Sequence, residues 1–400
     1  MNRYASWMRY VLPWLMSLAA LIGVGHASQA RAEACRAEWP LWQAFGDRFM
    51  TLDGRVVDDS VPTQHSTSEG QSYGMFFALV ANDRVRFDRL WQWSIDNLFG
   101  GDVTARLPAW QWGRRDDGTW GVLDPNAASD ADLFFAHALL EADRLWNVPA
   151  YRQQARQLLD RVVAEEVVNL PGLGPMLLPG PQGFALDAQV WRLNPSYLLL
   201  PQLRLLARHH DGPWDAIARN SLTLLESVSP HRLVADWVAY QAVTADDGVF
   251  AVDPVRGDMG SYDAIRVYLW AALAAADDPL AERWFQAVAG MATLTGQRGA
   301  PPERVYTTTG LAEGRGPVGF AAALAPYAQR QGNVGLTTLL QQSVTQAFSL
   351  PVTDPAQRPR YYDYVLALFA MGWLEGRYRF GTDGTLRTTW KSACRSATTP

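Results

Sequence analysis

The sequence predicts an all-α fold in which helical hairpins close into a double ring, an α/α toroid. Apolar residues recur at helical spacing along most of the chain, as in Leu199, Leu203 and Leu206. Strand-like alternation is scarce, and short turns such as Asp211-Gly212-Pro213 join the helices in pairs. We find no sequence repeat of fixed period, which favours a closed ring over an open solenoid.

Twelve or thirteen helices are expected, separated in two places by long loops. Because catalytic and binding groups gather on loops held by a rigid scaffold, we expect a site near loops 100–128 and 170–195. The predicted helices are 36–50, 68–82, 84–98, 130–146, 150–167, 196–209, 213–227, 231–243, 261–276, 279–292, 317–331, 334–348 and 359–376.

The first 32 residues have the pattern of a secretory signal peptide. Two arginines precede an apolar run over residues 11–24, and small residues follow the run. The run is shorter than the roughly 20 apolar residues that favour a membrane span. We therefore expect cleavage after Ala32 or Ala30 and a periplasmic or secreted protein that is not embedded in the membrane.

Composition favours one domain over residues 33–400. Hydrophobic residues make up 48% and charged residues 19%, and no linker-like run divides the chain. The net charge of −5 argues against a nucleic-acid partner, since phosphate binding needs a concentrated basic face. The two cysteines, Cys35 and Cys394, lie near the ends of the mature chain. Export permits a disulfide between them, and two unpaired thiols are the alternative.

Motif inspection excludes several kinds of chemistry. The patterns HExxH, GxSxG, GxxxxGK and GxGxxG are absent from the sequence, and two cysteines cannot form a thiolate cluster. Residues 124–130 match a calcium loop only in part, because the required glycine and the closing glutamate are missing. We therefore expect neither a metal nor a cofactor.

Three acids lie at predicted helix N-termini: Glu69 in SEGQSYGM, Asp130 in ASDAD and Asp263 in SYDAIR. Capping explains them as well as chemistry does, because Ser66–Glu69 and Ser129–Asp132 fit capping boxes and the helix dipole favours acids there. The dipole lowers a carboxyl pKa, which suits a base. If Glu69 donates a proton near neutral pH, burial or a neighbouring acid such as Asp130 must raise its pKa.

The aromatic residues are a second indication of a binding site. The chain has 17 Trp, 14 Tyr and 15 Phe, and Trp110 and Trp112 lie in the long loop before Asp130. A flat ring with a polar edge matches the CH face and hydroxyl rim of a sugar. Core packing is the ordinary explanation for most tryptophans, and both explanations stay open for Trp110 and Trp112.

Eight ordered segments resemble glycoside hydrolase family 8, and most closely its periplasmic members encoded with bacterial cellulose synthases. The resemblance covers nearly the whole mature chain. It implies an (α/α)6 barrel and an endo-β-1,4-glucanase that cuts a β-1,4-glucan chain with inversion. Besides the three acidic segments, the matches are RLPAWQWG (106–113), PGLGPMLLPG (171–180), WRLNPSYL (191–198), GPVGFAAAL (316–324) and YYDYVLALFAMGW (361–373).

The resemblance also implies the roles of the acids. Glu69 is expected to protonate the glycosidic oxygen, and Asp263 to activate water on the opposite face of the sugar. An inverting pair of this kind stands roughly 6.5–9.5 Å apart to admit that water. Asp130 matches the first acid of the family signature, a position traditionally labelled the nucleophile. Because inversion forms no covalent glycosyl-enzyme, our hypothesis is instead that Asp130 binds the sugar at the reacting subsite and sustains the raised pKa of Glu69. For Asp132, capping makes a structural role the better expectation.

Three further residues fall in matching segments. Tyr197 and Tyr262 are expected to orient water or sugar, and Arg266, one turn after Asp263, to hold that carboxylate. Structural roles are the alternative for all three.

Two alternatives to the glucanase stay open: a hydrolase for another β-1,4-glycan such as chitosan or xylan, and a non-catalytic glucan-binding assembly factor. An association with a cellulose synthase, and action on nascent or amorphous cellulose, follow from the resemblance alone.

Overall fold

The structure is a computed structural model that describes residues 38–187, 189–228, 230–349 and 358–391. The expected signal peptide, Cys35 and Cys394 lie outside these residues, so cleavage and the disulfide stay predictions. Within the described ranges, no helix is both long enough and apolar enough to cross a membrane.

Helices dominate the described part of the chain, which contains thirteen of them. Twelve of the thirteen predicted ranges contain a helix. In chain order the helices are α1 Pro40–Phe49, α2 Ser68–Val80, α3 Arg84–Asn97, α4 Ser129–Trp146, α5 Pro149–Glu165, α6 Leu200–His209, α7 Trp214–Ser227, α8 Ala264–Leu273, α9 Ala281–Ala287, α10 Gly290–Arg298, α11 Val318–Arg330, α12 Val334–Ser349 and α13 Tyr361–Leu374.

Six helices form a closed inner ring. Helices α2, α4, α6, α8, α11 and α13 contact one another in that order, and α13 contacts α2 again. Each also contacts a helix of an outer ring, namely α3, α5, α7, α9, α12 and α1 in the same order. This arrangement is an (α/α)6 barrel, and the predicted fold class is confirmed.

The sequence of each helix explains its place in the double ring. The inner helix α8 is apolar on nearly every side, and all ten of its residues are buried. The outer helix α5 buries only Ala155, Leu158, Leu159 and Val162. That spacing forms one apolar stripe, so α5 covers the inner ring with one face and leaves the other in water.

The predicted helix 231–243 is wrong. Val238–Thr244 is a strand, and it pairs on one side with Val190–Leu193 and on the other with Asp247–Val252. Its first three residues are buried, and the burial of the following residues does not alternate regularly between the two faces of the strand. A local pattern of this kind fits a helix as well as a strand, and the two partner strands decide between them.

Short antiparallel strands also cross both of the expected long loops. They form five small sheets in the described residues. The strands are β1 Ser66–Thr67, β2 Gln111–Arg114, β3 Trp120–Asp124, β4 Val167–Leu170, β5 Gly174–Leu177, β6 Val190–Leu193, β7 Val238–Thr244, β8 Asp247–Val252, β9 Met259–Gly260, β10 Arg304–Tyr306, β11 Ala312–Glu313, β12 Tyr378–Phe380 and β13 Leu386–Thr388.

Candidate active site

Three inner helices begin at the three acids that the sequence singled out. Glu69 is the second residue of α2, Asp130 is the second residue of α4, and Asp263 is the N-cap of α8. Asp130 is buried, whereas the side chain of Asp263 is 35% exposed. The acids therefore differ in their access to solvent.

A buried guanidinium, that of Arg266, joins two of these acids. Its Nη1 donates to Asp130 Oδ2 at 3.1 Å, and its Nη2 donates to Asp263 Oδ1 at 2.9 Å. Nη1 also donates to the Tyr73 hydroxyl at 2.9 Å, and Nη2 to the Ser196 hydroxyl at 2.8 Å. A charge buried this deeply needs such partners, and the network fixes α8 relative to α4 and α2.

The pKa of Glu69 is raised to about 8. Burial is the larger cause, and the negative charge of Asp130 is the next. Arg266 opposes the shift, as does the Ser68 hydroxyl, which donates to Glu69 Oε2 at 3.3 Å. Burial also raises the pKa of Asp130, against the lowering effect of Arg266. Glu69 thus keeps its proton at neutral pH, which is the state that a general acid requires.

Neither predicted capping box is present. Thr67 is the N-cap of α2, and its side chain accepts from Gly70 N at 3.1 Å. Ser66 and Thr67 pair with β2 as a strand, so the helix starts later than the box requires and Glu69 is not needed as a cap. The N-cap of α4 is Ala128, which has no side-chain hydrogen bond to offer.

Asp132 therefore does not cap its helix, and its environment is unusual. It is fully buried beside Glu166, and no N–H group in the described part of the chain bonds either Asp132 carboxyl oxygen. Burial and then the charge of Glu166 raise the pKa of Asp132 well above its usual range.

The two tyrosines take different positions. Tyr197 lies in a short 3-10 helix, Pro195–Tyr197, with its ring 5.7 Å from the Arg266 guanidinium. Burial, then the charges of Asp130, Glu69 and Asp263, raise the pKa of Tyr197 well above its usual value, so its hydroxyl is neutral. Tyr262 is 47% exposed, and its ring packs against Phe320 and Tyr362.

The tryptophans of the β1–β2–β3 sheet are not equivalent. Trp110 is half-buried, and its carbonyl accepts from Ser68 N at 2.9 Å, directly beside the catalytic candidate Glu69. Trp112 packs edge-on against Trp93 and is stacked on Trp120 at 5.5 Å, so much of its ring is already in contact.

Trp120 is the tryptophan of this sheet that offers a ring to solvent. It was not among the predicted substrate contacts. Trp120 is 43% exposed, and the Arg55 guanidinium lies 4.7 Å from its ring centre. Its strand, β3, is two strands away from the segment that leads into Glu69.

Three more residues of the site were missed by sequence reasoning. Tyr73 donates to Asp130 Oδ2 at 3.2 Å, and its place one helical turn after Glu69 was a signal for a shared face. Asp236 accepts three backbone N–H groups at the start of α8, but it lay inside the wrongly predicted helix. Tyr362 donates to the Tyr262 carbonyl at 2.7 Å, within a matching segment whose role was not considered.

Carboxylates, aromatic rings and one arginine make up this site. Among the described residues, no cluster of three or more histidine, cysteine or acidic side chains is arranged to hold a metal ion. A pair of carboxyl groups, one with a raised pKa and one partly open to solvent, is the kind of site that glycoside hydrolases use. The fold and the site together define a carboxylate-dependent glycoside hydrolase.

Comparison with known proteins agrees with this class. Residues 19–376 match the family Glycosyl hydrolases family 8. The chain is 45% identical to an endoglucanase of Pseudomonas fluorescens (strain SBW25), over 95% of this chain and 98% of that protein. It is 42% identical to an endoglucanase of Escherichia coli (strain K12), over 90% and 93%. The solved endo-1,4-D-glucanase from Vibrio fischeri ES114 superposes with a TM-score of 0.81 and 36% identity, over 88% of this chain and 99% of that one. The chain belongs to glycoside hydrolase family 8.

Proposed function

We propose that this protein is an endo-β-1,4-glucanase that hydrolyses β-1,4-glucan with inversion at the anomeric carbon. The observation that carries the proposal is the cluster of Glu69, Asp130, Arg266 and Asp263, in which Glu69 has a pKa of about 8. Relatives named endoglucanase, aligned over nearly the whole chain, support glucan as the substrate.

In the proposed mechanism, two acids act on opposite faces of one sugar. Glu69 protonates the glycosidic oxygen as the bond to the anomeric carbon breaks. Asp263 takes a proton from the water that attacks the other face, and the products carry the elements of that water. Glu69 is then ionised and Asp263 protonated, and the partial exposure of Asp263 lets the proton return to solvent.

Asp130 has two proposed roles that do not involve a covalent bond. It binds the sugar at the reacting subsite, and its charge disfavours ionisation of Glu69. Inversion forms no glycosyl-enzyme, so no nucleophile is needed. The Arg266 and Tyr73 contacts hold the Asp130 carboxylate in place for both roles.

The aromatic residues supply the proposed contacts to the rest of the chain. Trp110 lies beside Glu69, and Trp120 offers an exposed ring farther along the same sheet. Tyr197 is proposed to donate to the sugar or to the attacking water, and Tyr262 to border the substrate at the start of α8. Trp112 is proposed to hold the Trp120 ring in place by stacking on it.

The biological setting is a further part of the proposal. The leader-like residues 1–32 support export to the periplasm, and the resemblance to enzymes encoded with cellulose synthases supports action on nascent or amorphous cellulose. Functional association with a cellulose synthase rests on the same resemblance.

NMR of cellopentaose during hydrolysis tests both substrate and stereochemistry. The proposal requires that the α-anomer appears first, before mutarotation. Initial β-anomer would exclude inversion, and hydrolysis of chitosan or xylan in preference to glucan would exclude the substrate. Glu69→Gln and Asp263→Asn should each abolish product formation, and undiminished activity in Glu69→Gln would remove Glu69 from the mechanism.

A further inference from the structure

The start of helix α8 has an unusual arrangement of backbone donors. The first N–H groups of any helix lack partners within the helix, and an N-cap Asp commonly accepts one of them. Asp263 is the N-cap of α8, but it has helical torsion angles (φ −80°, ψ −52°) and its side chain caps nothing. The acceptor must therefore come from elsewhere.

Asp236 supplies this acceptor from another segment of the chain. Its Oδ1 accepts from Ser261 N at 2.7 Å, from Ala264 N at 2.8 Å and, more weakly, from Asp263 N at 3.2 Å. Its own N–H donates to Met259 O at 2.9 Å. Asp236 Oδ1 is thus the shared acceptor for three backbone N–H groups at and next to Asp263.

The two segments are in direct backbone contact. A Cβ atom on Gly260 would lie 1.9 Å from the Val234 carbonyl oxygen, a distance that no side chain can accept. The Val234 backbone is itself held in place, because its N–H donates to the buried Tyr268 hydroxyl at 2.9 Å. Asp236 is therefore held against the start of α8 by its neighbours on both segments.

Helix α4 shows what an acid does at a helix start that lacks such a cap. The N-cap of α4 is Ala128, which offers no side-chain acceptor. There one oxygen of the Asp130 carboxylate, Oδ1, accepts from Ala131 N at 2.9 Å, while Oδ2 accepts from Arg266 and Tyr73. Asp263 also accepts from Arg266, through Oδ1, but its side chain makes no capping hydrogen bond to the start of its own helix.

We propose that Asp236 is a positioning residue for the catalytic base: by capping α8 from outside the helix, it leaves the Asp263 carboxylate free to face the substrate. The proposal rests on the function proposed above, in which Asp263 is the base. Without Asp236, the Asp263 carboxylate becomes an acceptor for the N–H of Ala264, as the Asp130 carboxylate is for the N–H of Ala131. One carboxylate oxygen of Asp263 then turns away from the attacking water and the proton acceptor is misplaced, while sugar binding is largely kept.

A graded series at position 236 tests this role on cello-oligosaccharides. Asp236→Ala removes the acceptor, and we expect kcat to fall about 100-fold, the effect of a misplacement of roughly 1 Å, with KM within about twofold. Asp236→Asn keeps an Oδ1 acceptor and should return kcat to within about fivefold of the wild type. If Asp236→Ala does not fold, Asp236→Ser, with one shorter acceptor, should lose about tenfold in kcat.

A second substrate separates base positioning from damage to the acid. β-Cellobiosyl fluoride has a leaving group that needs no proton donor, but it still needs water activated by a base. The Asp236→Ala loss should therefore persist on the fluoride. A loss that disappears on the fluoride would place the defect at Glu69 and overturn the proposal.

The control is a cap of the same kind far from the site. Asn333 Oδ1 accepts from Leu336 N at 3.0 Å at the start of the outer helix α12. Asn333→Ala should lower the melting temperature, as Asp236→Ala does, and leave kcat unchanged. A kcat equal to wild type in folded Asp236→Ala or Asp236→Ser, or an Asp236→Asn variant as slow as Asp236→Ala, would overturn the proposal.

Asp263→Asn distinguishes failure of this inference from failure of the proposed function. If Asp263→Asn is inactive and Asp236→Ala is fully active, Asp263 remains the base and only the positioning role is lost. If Asp263→Asn keeps its activity, the proposed function itself is wrong at Asp263.

Discussion

Asp130→Asn should move the alkaline limb of the pH–rate profile to lower pH. The substitution keeps the size of the side chain and removes one negative charge beside Glu69. In the wild type that charge is the second largest cause, after burial, of the rise in the Glu69 pKa to about 8. Arg266, which lowers the same pKa, stays in place and is then less well neutralised. Both effects favour ionised Glu69.

The size of the shift follows from the order of these causes. A nearby opposite charge lowers a carboxyl pKa by about 1–3, and we take a like charge to raise it by a similar amount. Since Asp130 contributes less than burial, we expect the lower half of that range, about 1 unit or slightly more. The alkaline limb of kcat/KM, which reports the general acid in the free enzyme, should therefore move from about pH 8 to about pH 7.

The assay is kcat/KM for cellopentaose between pH 4 and pH 10. Asp130→Asn should also lower the maximal kcat/KM, because Asp130 is proposed to bind the sugar. The pH at the midpoint of the alkaline limb does not depend on that maximal value. Asp88→Asn, on the outer helix α3, is the matched control and should leave the limb in place. An alkaline limb at the wild-type pH in Asp130→Asn would refute the proposed control of Glu69 by Asp130.

Four other substitutions test the stability of the site and its contacts with a longer substrate. Glu69 has a higher pKa in the folded protein, about 8, than the ordinary value of 4.5, so its contribution to stability is complete below about pH 4.5 and is lost as the pH rises to 8. Glu69→Gln does not titrate, and its melting temperature relative to wild type should rise between pH 5 and pH 9; a constant difference in a thermal-shift series would contradict this. Arg266→Met leaves two carboxylates without their cation and should cost about 3–5 kcal/mol in urea unfolding, and a cost below about 1 kcal/mol would show that the network adds little. Trp120→Ala should raise KM for cellohexaose about fivefold and leave kcat unchanged, since an aromatic contact is worth about 1 kcal/mol. Trp112→Ala should mainly lower the melting temperature. The reverse pattern would show that Trp112, and not Trp120, stacks on the sugar.

Local sequence was enough to predict the ring and the places of the acids. The inner helix α8 shows why, because its residues SYDAIRVYLW combine a turn, an acid at the helix start and an apolar run in one short segment. Helix starts and apolar periodicity are properties of neighbours in sequence. Arg266 could be placed beside Asp263 for the same reason, since one helical turn separates them.

Contacts between distant segments could not be predicted in the same way. The helix predicted over 231–243 fails because strand β7 is stabilised by β6 and β8, and neither partner is visible in the local pattern. The role of Asp236 was hidden by the same error. The capping box at Ser66–Glu69 fails because pairing of β1 with β2 holds Thr67 extended, and that pairing joins segments far apart in the chain.

Arg266 acts unequally on the three acids. Arg266 donates hydrogen bonds to two of the acids, Asp130 and Asp263, whereas its effect on Glu69 is Coulombic and smaller than the opposing effect of Asp130. The backbone at the start of α2 also lowers the Glu69 pKa, but burial and Asp130 outweigh it. The position of Glu69 at a helix start, taken alone, would make it a base. Its surroundings reverse that outcome, so the proposed division into acid and base belongs to the cluster and not to either carboxylate.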